Sequence, residues 1–105
     1  MNERIEKIKT FLHASPDDLF LNHALALEYI KIGEELLALH CFEKNRQIDP
    51  KYVATYYHLG KLQERLKRHN EALETYQAGM IMAKEAKDQH SYNELLGAFE
   101  DLEDM

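Results

Sequence analysis

The sequence predicts an all-α protein, an antiparallel helix-turn-helix solenoid of about six helices. Similar residues recur 34 positions apart along the chain. The recurring pairs are Pro16 and Pro50, Leu25 and Leu59, Ala26 and Gly60, Ala38 and Ala72, and Phe42 and Tyr76. Apolar residues also follow helical spacing, and four glycines and two prolines leave little material for the turns of a many-stranded sheet.

The first two helices are separated by a serine-proline step. Apolar residues at helical spacing predict a first amphipathic helix over about residues 2–14. Ser15 can cap a second helix, and Pro16 suits its first turn. We expect this second helix to run to about Ile32, where Gly33 tolerates a left-handed backbone conformation at the helix end.

The middle of the chain repeats this device. A third helix is predicted over about residues 34–48, and Asp49 and Pro50 repeat the cap-then-proline step. We therefore expect a fourth helix to begin at these two residues and to run to about Lys67.

The last two helices have weaker boundary signals. Asn70 can cap a fifth helix, although no glycine precedes it in the link. Because Lys84 stands where the first repeat has a proline, this helix can continue through Ala86. The sixth helix starts near Asp88 or at Ser91, where a serine and a glutamate three residues later have the spacing of a capping box.

Charge and cysteine content argue against several classes of function. The net charge of -6 disfavours general nucleic-acid binding and docking on an anionic membrane surface. No apolar run approaches the roughly 20 residues that span a bilayer, and the start of the chain lacks the apolar core of a signal peptide. The single cysteine, Cys41, cannot form an internal disulfide, so we expect a packing thiol in a cytoplasmic protein.

Two segments match a helical-repeat signature that reads W-x2-L-G-x2-Y, then A-x3-F, then P. Residues 17–50 give Asn22-x2-Leu25-Ala26-x2-Tyr29, Ala38-x3-Phe42 and Pro50, and residues 51–84 give Tyr56-x2-Leu59-Gly60-x2-Gln63, Ala72-x3-Tyr76 and Lys84. On these residues the chain resembles the tetratricopeptide repeat family, with departures at Asn22, Gln63 and Lys84. The resemblance implies a single domain over residues 1–105, in which residues 1–15 form half a repeat and residues 88–103 a capping helix.

The repeated residues also predict the core. Small side chains let paired helices approach closely, and the aromatic residues Phe42 and Tyr76 fill the space between them. On the fourth helix we expect Leu59, Leu62 and Leu66 to face this core.

In this family the first helix of each repeat lines the inner, concave side of the array, where ligands bind. On the second helix the expected ligand-facing residues, called the apolar stripe below, are Phe20, His23, Leu27, Ile30 and Lys31. On the fourth helix they form the aromatic–basic stripe, which comprises Tyr57, His58, Lys61, Glu64 and Arg65. Tyrosine and arginine are frequent binding anchors, so this surface suits a peptide with acidic and apolar side chains.

The resemblance implies a non-catalytic scaffold that binds a protein or peptide segment in this groove. The alternative is a self-associating structural subunit, a homodimer in which a second copy covers Leu27 and Ile30. Some members of the family grip a chaperone's terminal carboxylate with Lys, Asn and Arg side chains on the inner helices. Because His23, Leu27, His58 and Lys61 occupy that surface here, we expect no such binding.

The sequence contains no pattern of catalytic or metal-binding residues. Its six histidines are dispersed, with no H-E-x-x-H motif and no Cys-His cluster of ligand spacing. Glycine-rich phosphate loops, nucleophile elbows and paired catalytic carboxylates are also missing from the sequence. We therefore expect no enzyme activity, no metal ligands, no cofactor and no nucleic-acid partner.

Overall fold

Six α-helices make up the computed structural model, which describes residues 2–105. Their bounds are α1 Glu3–Ala14, α2 Leu19–Lys31, α3 Glu35–Ile48, α4 Ala54–Arg65, α5 His69–Glu85 and α6 Gln89–Glu103. No strand occurs within the described residues. The predicted all-α class and the predicted number of helices are therefore confirmed.

The helices form two compact units, the first up to Asp49 and the second over Pro50–Met105. In the first unit α2 packs against α3, and α1 packs against α2. In the second unit α5 packs against both α4 and α6, and α4 also contacts α6. Within each unit the turns that join packed helices are short, so the neighbouring helices run antiparallel.

Residues with a left-handed backbone end three of the helices. Gly33 has a φ of 80°, the left-handed conformation that was predicted for a glycine at this helix end. Lys67 (φ 64°) and Lys87 (φ 58°) adopt the same conformation in turns that contain no glycine. The residue after each of them donates its backbone N–H to a carbonyl of the preceding helix, at 2.9, 2.8 and 2.9 Å. These bonds satisfy carbonyl groups that the helix end leaves open.

The predicted start of α2 is wrong. Ser15 ends α1 instead of capping α2, because its backbone N–H donates to the carbonyl oxygens of Phe11 and Leu12, both at 3.1 Å. Asp18 is the cap of α2, and its carboxylate accepts a hydrogen bond of 2.9 Å from the backbone N–H of Leu21.

The predicted start of α4 is also wrong. The helix begins at Ala54, after a turn that contains Pro50. The Tyr56 hydroxyl donates to the carbonyl oxygen of Pro50, and this bond holds the turn against the beginning of α4. Proline therefore precedes the helix by several residues instead of occupying its first turn.

Of the remaining predictions of helix starts, the one for α5 is wrong and one of the two for α6 is correct. Asn70 lies inside α5 and does not cap it, since the helix begins at His69. For α6, the expected start near Asp88 is correct and the start at Ser91 is wrong. The Asp88 carboxylate accepts hydrogen bonds from the Ser91 backbone N–H at 3.1 Å and from its hydroxyl at 2.7 Å.

The predicted core residues are buried in both units. The small and aromatic members are Ala26, Ala38, Phe42, Gly60, Ala72 and Tyr76. Leu59 and Leu62 are buried as expected, whereas Leu66 at the end of α4 is only half-buried. Cys41 is a buried packing thiol, and this burial raises its pKa.

Candidate interaction surfaces

The aromatic–basic stripe lies along α4, where neighbouring members contact one another. The rings of Tyr57 and His58 meet edge to face, with centroids 5.7 Å apart. The Lys61 ammonium lies 5.8 Å from the centroid of the Tyr57 ring and 4.0 Å from a Glu64 carboxylate oxygen. Arg65 at the end of the helix is exposed. Tyr57, His58, Lys61 and Glu64 therefore form one strip of contacting groups, and Arg65 follows them at the end of the helix.

Glu64 has a second, structural contact. It accepts a hydrogen bond from the hydroxyl of Tyr76, whose ring is buried between α4 and α5. Burial, followed by the hydrogen bond to the Glu64 carboxylate, raises the pKa of the Tyr76 hydroxyl. Glu64 therefore contacts both a core tyrosine and the Lys61 ammonium, and Lys61 and the exposed Arg65 carry the positive charge of the stripe.

A cleft of about 250 Å³ opens between α4 and α6, and Tyr57 and His58 line it. The other lining residues are Val53, Ala54, Ser91, Glu94 and Leu95. Burial lowers the pKa of the His58 imidazole, and the nearby Glu94 carboxylate opposes this shift. The cleft thus combines an apolar floor with a carboxylate at its α6 side.

The α6 residues of this cleft were not among the predicted site residues. Ser91 and Glu94 lie three positions apart, a spacing that places them on one face of a helix. This spacing also matches a capping box, which would place the two residues at the start of the helix. Their position beside α4 is therefore not evident from the sequence. With Asp88 as the cap, both side chains belong to the body of α6.

The apolar stripe lies along α2 in the first unit. Phe20 has 70% of its surface exposed, and Leu27 and Ile30 are half-buried. The His23 ring contacts the edge of the core residue Phe42, with centroids 5.6 Å apart. This stripe is therefore apolar at its start, while its histidine is partly engaged with the core.

Lys31, the last member of the apolar stripe, forms part of an ion-pair cluster. Its ammonium lies 3.1 Å from a Glu28 carboxylate oxygen, and the guanidinium Nε of Arg4 lies 3.0 Å from the same oxygen. The Lys31 hydrogen bond, opposed by burial and assisted by Arg4, holds the pKa of the Glu28 carboxyl below its usual value. Sequence reasoning missed Glu28, because α2 reads as apolar on almost every side.

Membrane-spanning helices and clusters of metal ligands are both absent from the described residues. Within residues 2–105 no helix is both long and apolar enough to cross a membrane. In the same part of the chain no three metal-ligating side chains come together.

The fold and these helix faces define the class of helical-hairpin repeat proteins. Similar solved structures identify the family within that class. The chain is 43% identical to a tetratricopeptide repeat domain protein from Salinibacter ruber, with a TM-score of 0.82 over 86% of this chain and 91% of that one. The chain belongs to the tetratricopeptide repeat family. No protein-family model matches the sequence, and no curated protein matches it either.

More distant structures share the fold. The TPR2B domain of yeast Sti1, in complex with pHsp70, aligns with a TM-score of 0.88 at 20% identity, over 95% of this chain and 80% of that one. A protein from Bordetella parapertussis aligns with a TM-score of 0.81 at 22% identity, over 97% of this chain and 89% of that one.

Proposed function

We propose that this chain is a non-catalytic scaffold that binds a peptide or protein segment carrying acidic and apolar side chains. The observation that carries the proposal is the α4–α6 cleft, which Tyr57 lines, with the Lys61 ammonium 5.8 Å from the centroid of the Tyr57 ring. Ligand sites commonly combine a concave apolar floor with a few polar groups that fix orientation. A concave cleft of this kind can hold a short peptide segment more closely than a flat surface can.

The chemistry of the cleft assigns parts of the ligand to parts of the surface. Val53 and the ring of Tyr57, both half-buried, offer apolar contact to a ligand side chain, and the buried Leu95 lies beneath them. Lys61, whose side chain is 41% exposed, and the exposed Arg65 offer positive charge to a ligand carboxylate. Glu94 at the α6 side repels a carboxylate there, so the acidic residue belongs at the Lys61 end.

The apolar stripe on α2 supports a second, mainly apolar contact. Phe20 is exposed, and Leu27 and Ile30 keep part of their surface open to solvent. Lys31 is held by Glu28, so it adds less free charge than the sequence suggests. We propose that the α2 residues form a separate, mainly apolar contact surface of the first unit, and that the α4 residues of the second unit contribute specificity.

A solved structure of the same fold supports the proposal that the ligand is a protein. The yeast Sti1 domain of the same fold forms a complex with pHsp70. At that level of identity the likeness concerns the fold, so the preference for acidic and apolar side chains rests on the residues of this chain.

A displayed library of random dodecapeptides provides a defined probe for the proposal. Peptides selected on the wild-type protein should be enriched in acidic and apolar residues. Tyr57→Ala and the double variant Lys61→Glu/Arg65→Glu should each weaken their binding by about tenfold or more, as central anchors do. Lys7→Glu, which reverses one exposed charge on α1, should leave the affinity unchanged. Equal affinities for all four proteins would contradict the proposal.

Self-association is a second candidate function, favoured by the exposure of Phe20 near Leu27 on α2. Light scattering during gel filtration gives the mass of the native protein and of Leu27→Glu. A native dimer that this substitution splits would assign the apolar stripe to a second copy. A monomer in both cases would leave the stripe open to other partners. Circular dichroism of both proteins checks that the variant remains folded.

A further inference from the structure

A groove on the second unit lies outside both stripes, between α5 and α6. Its larger part has a volume of about 500 Å³ and is lined by Gln77, Met80, Ile81, Lys84 and Tyr92. An adjoining part of about 330 Å³ shares Lys84 and Tyr92 and adds Ala83, Lys87, Asp88 and Gln89. Together these two parts are called the α5–α6 groove below. None of these residues takes part in the function proposed above.

The floor of this groove is apolar and adaptable. Ile81 is 56% exposed although it is aliphatic, and Met80 and Tyr92 are half-buried beside it. Methionine side chains adjust to varied apolar surfaces because they are unbranched and polarizable. The α5 residues of the lining recur at helical spacing and span about 10 Å, roughly two turns of a helix. That length fits a short helical or extended segment.

The repeat itself does not demand an apolar surface at this place. Thirty-four residues earlier, the positions of Met80 and Ile81 are occupied by Arg46 and Gln47. Gln47 is exposed on α3, as Ile81 is on α5. Met80 packs in part against the buried core of the second unit, whereas Ile81 is exposed. Because the first repeat folds with a polar side chain at the position of Ile81, this exposed apolar residue requires another explanation. Burial against a partner would supply it, since exposed apolar patches often mark interfaces.

One end of the groove is positively charged in a protein whose net charge is -6. Lys84 and Lys87 are both exposed, and the Lys84 ammonium lies 5.9 Å from the centroid of the Tyr92 ring. The carboxylate of Asp88 is engaged by the backbone N–H and the hydroxyl of Ser91 as the cap of α6. Two exposed ammonium groups thus remain beside the apolar floor, where they complement carboxylates of a partner.

We propose that the α5–α6 groove is a second docking surface, which binds a segment of another protein. The segment carries an apolar side chain that packs on Met80, Ile81 and Tyr92, followed by carboxylates that pair with Lys84 and Lys87. A scaffold with this surface would hold two protein segments at once, one on the aromatic–basic stripe and one on the α5–α6 groove.

The test uses the random dodecapeptide library, panned on the Lys61→Glu variant so that binders of the aromatic–basic stripe are suppressed. Selected peptides are then measured on the wild type, Ile81→Gln, Lys84→Glu and Tyr57→Ala. Ile81→Gln installs the residue that the first repeat carries, at an exposed site where folding should persist. Leu36→Gln is the matched control, because it removes a similarly exposed apolar side chain from α3.

The proposal expects a class of acidic and apolar peptides whose affinity falls by about tenfold or more on Ile81→Gln and on Lys84→Glu. The same peptides should bind Tyr57→Ala and Leu36→Gln as they bind the wild type. No class with this sensitivity, or a class of basic peptides that binds Lys84→Glu more tightly, would overturn the proposal. So would a native dimer, measured by light scattering, that Ile81→Gln converts to a monomer, since a second copy would then be the occupant. Loss of binding on Tyr57→Ala alone concerns only the function proposed earlier.

Discussion

The two repeats share one backbone plan but close their helix pairs in different ways. In the second repeat the bulky Tyr56 of α4 faces Gly79 of α5, where an added Cβ would lie 2.5 Å from the Tyr56 Cβ. The equivalent positions of the first repeat are Asn22 and Asn45, both buried. Their amide groups donate to backbone carbonyls instead, including a bond of 2.8 Å from Asn45. One repeat therefore uses complementary sizes where the other uses hydrogen bonds.

A second difference involves the aromatic residue of each repeat. Tyr76 donates its hydroxyl to Glu64, whereas the equivalent residues of the first repeat are Phe42 and Ile30. The polar pair of the second repeat thus corresponds to an apolar pair in the first. Both partners differ between the repeats, and a buried hydroxyl without an acceptor would be unfavourable.

Adding a methyl group at Gly60 should give the largest effect on this comparison. The first repeat accommodates Ala26 at the equivalent position, but a Cβ at Gly60 would lie 2.2 Å from Cε1 of the Tyr76 ring. Overpacking typically costs about 1–3 kcal/mol and occasionally more, and a contact of 2.2 Å with a buried ring lies at the upper end, at about 3 kcal/mol or more. The better helix propensity of alanine offsets about 1 kcal/mol of this. We expect Gly60→Ala to lower the free energy of unfolding, measured by urea denaturation with circular dichroism.

The Tyr76→Phe background sharpens this result. Without its hydroxyl the ring is no longer tied to Glu64, so it can shift away from the new methyl group. Gly60→Ala should therefore cost less in Tyr76→Phe than in the wild type, which is a coupling that a double-mutant cycle measures. Equal costs in the two backgrounds would show that the Glu64 bond does not hold the ring against Gly60.

The buried polar pair of the second repeat gives the next effect. Thr75 donates its hydroxyl to the amide oxygen of Gln63 at 2.7 Å, and both residues are buried. Thr75→Val keeps the shape but leaves this oxygen without its donor, which should lower the free energy of unfolding by about 1–3 kcal/mol. Chemical denaturation measures the change.

The double variant Gln63→Leu/Thr75→Val is the control for this pair. It removes both polar partners together, so it should be less destabilised than the sum of the two single variants. The first repeat already carries Tyr29 and Cys41 at the equivalent positions. A strictly additive result would mean that the hydrogen bond contributes nothing specific.

The sequence predicted the fold well because period and burial are encoded locally. The recurrence of Ala26, Phe42, Gly60 and Tyr76 at one offset gave the helix pairs and their core, and all four are buried. Helix starts were harder, since Ser15, Asp18 and nearby polar residues compete for the same capping role. Which residue caps the helix depends on the backbone groups that already bond to the end of the preceding helix.

Features that depend on distant partners escaped prediction. Glu28 is buried on an apolar helix, where it pairs with Lys31 of α2 and also with Arg4, 24 residues earlier on α1. The need for glycine at position 79 comes from the bulk of Tyr56 across the helix pair, which no pattern within α5 indicates. At the candidate site, helical spacing predicted the stripe on α4, but Ser91 and Glu94 required the register of α6. Contacts between elements, unlike periodicity within one element, are not written in a local pattern.

A glycine without close neighbours shows how helix propensity alone affects stability, free of steric crowding. Gly97 lies within α6, and no atom would lie within 4 Å of a Cβ added there. Gly97→Ala should therefore raise the free energy of unfolding by about 0.5–1 kcal/mol, the difference in helix propensity. Gly79→Ala should destabilise instead, because of Tyr56. The same urea titrations measure both variants, and a shared sign would contradict the distinction between crowded and open glycines.

The smallest expected effect concerns the charge that distinguishes Glu28 of the first repeat from Leu62 at the equivalent position of the second. The Glu28 side chain is 8% exposed, but Arg4 and Lys31 remain about two-thirds exposed, at 69% and 68%, so solvent weakens both pairs. Because the folded-state pKa of Glu28 is lowered, its stabilisation is present above the unfolded pKa of about 4.3 and is lost as pH falls through the folded value.

Glu28→Gln should therefore be less stable than the wild type at pH 7, and the gap should narrow as pH falls below about 4.3, the unfolded value. Free energies of unfolding measured by urea denaturation at several pH values test this. Lys31→Gln should remove more of the pH dependence than Arg4→Gln does, because the Lys31 hydrogen bond is the largest cause of the lowered pKa. The opposite order would mean that the longer-range contact from α1, not the one within α2, governs this carboxylate, and that the charge serves chiefly to hold α1 in place.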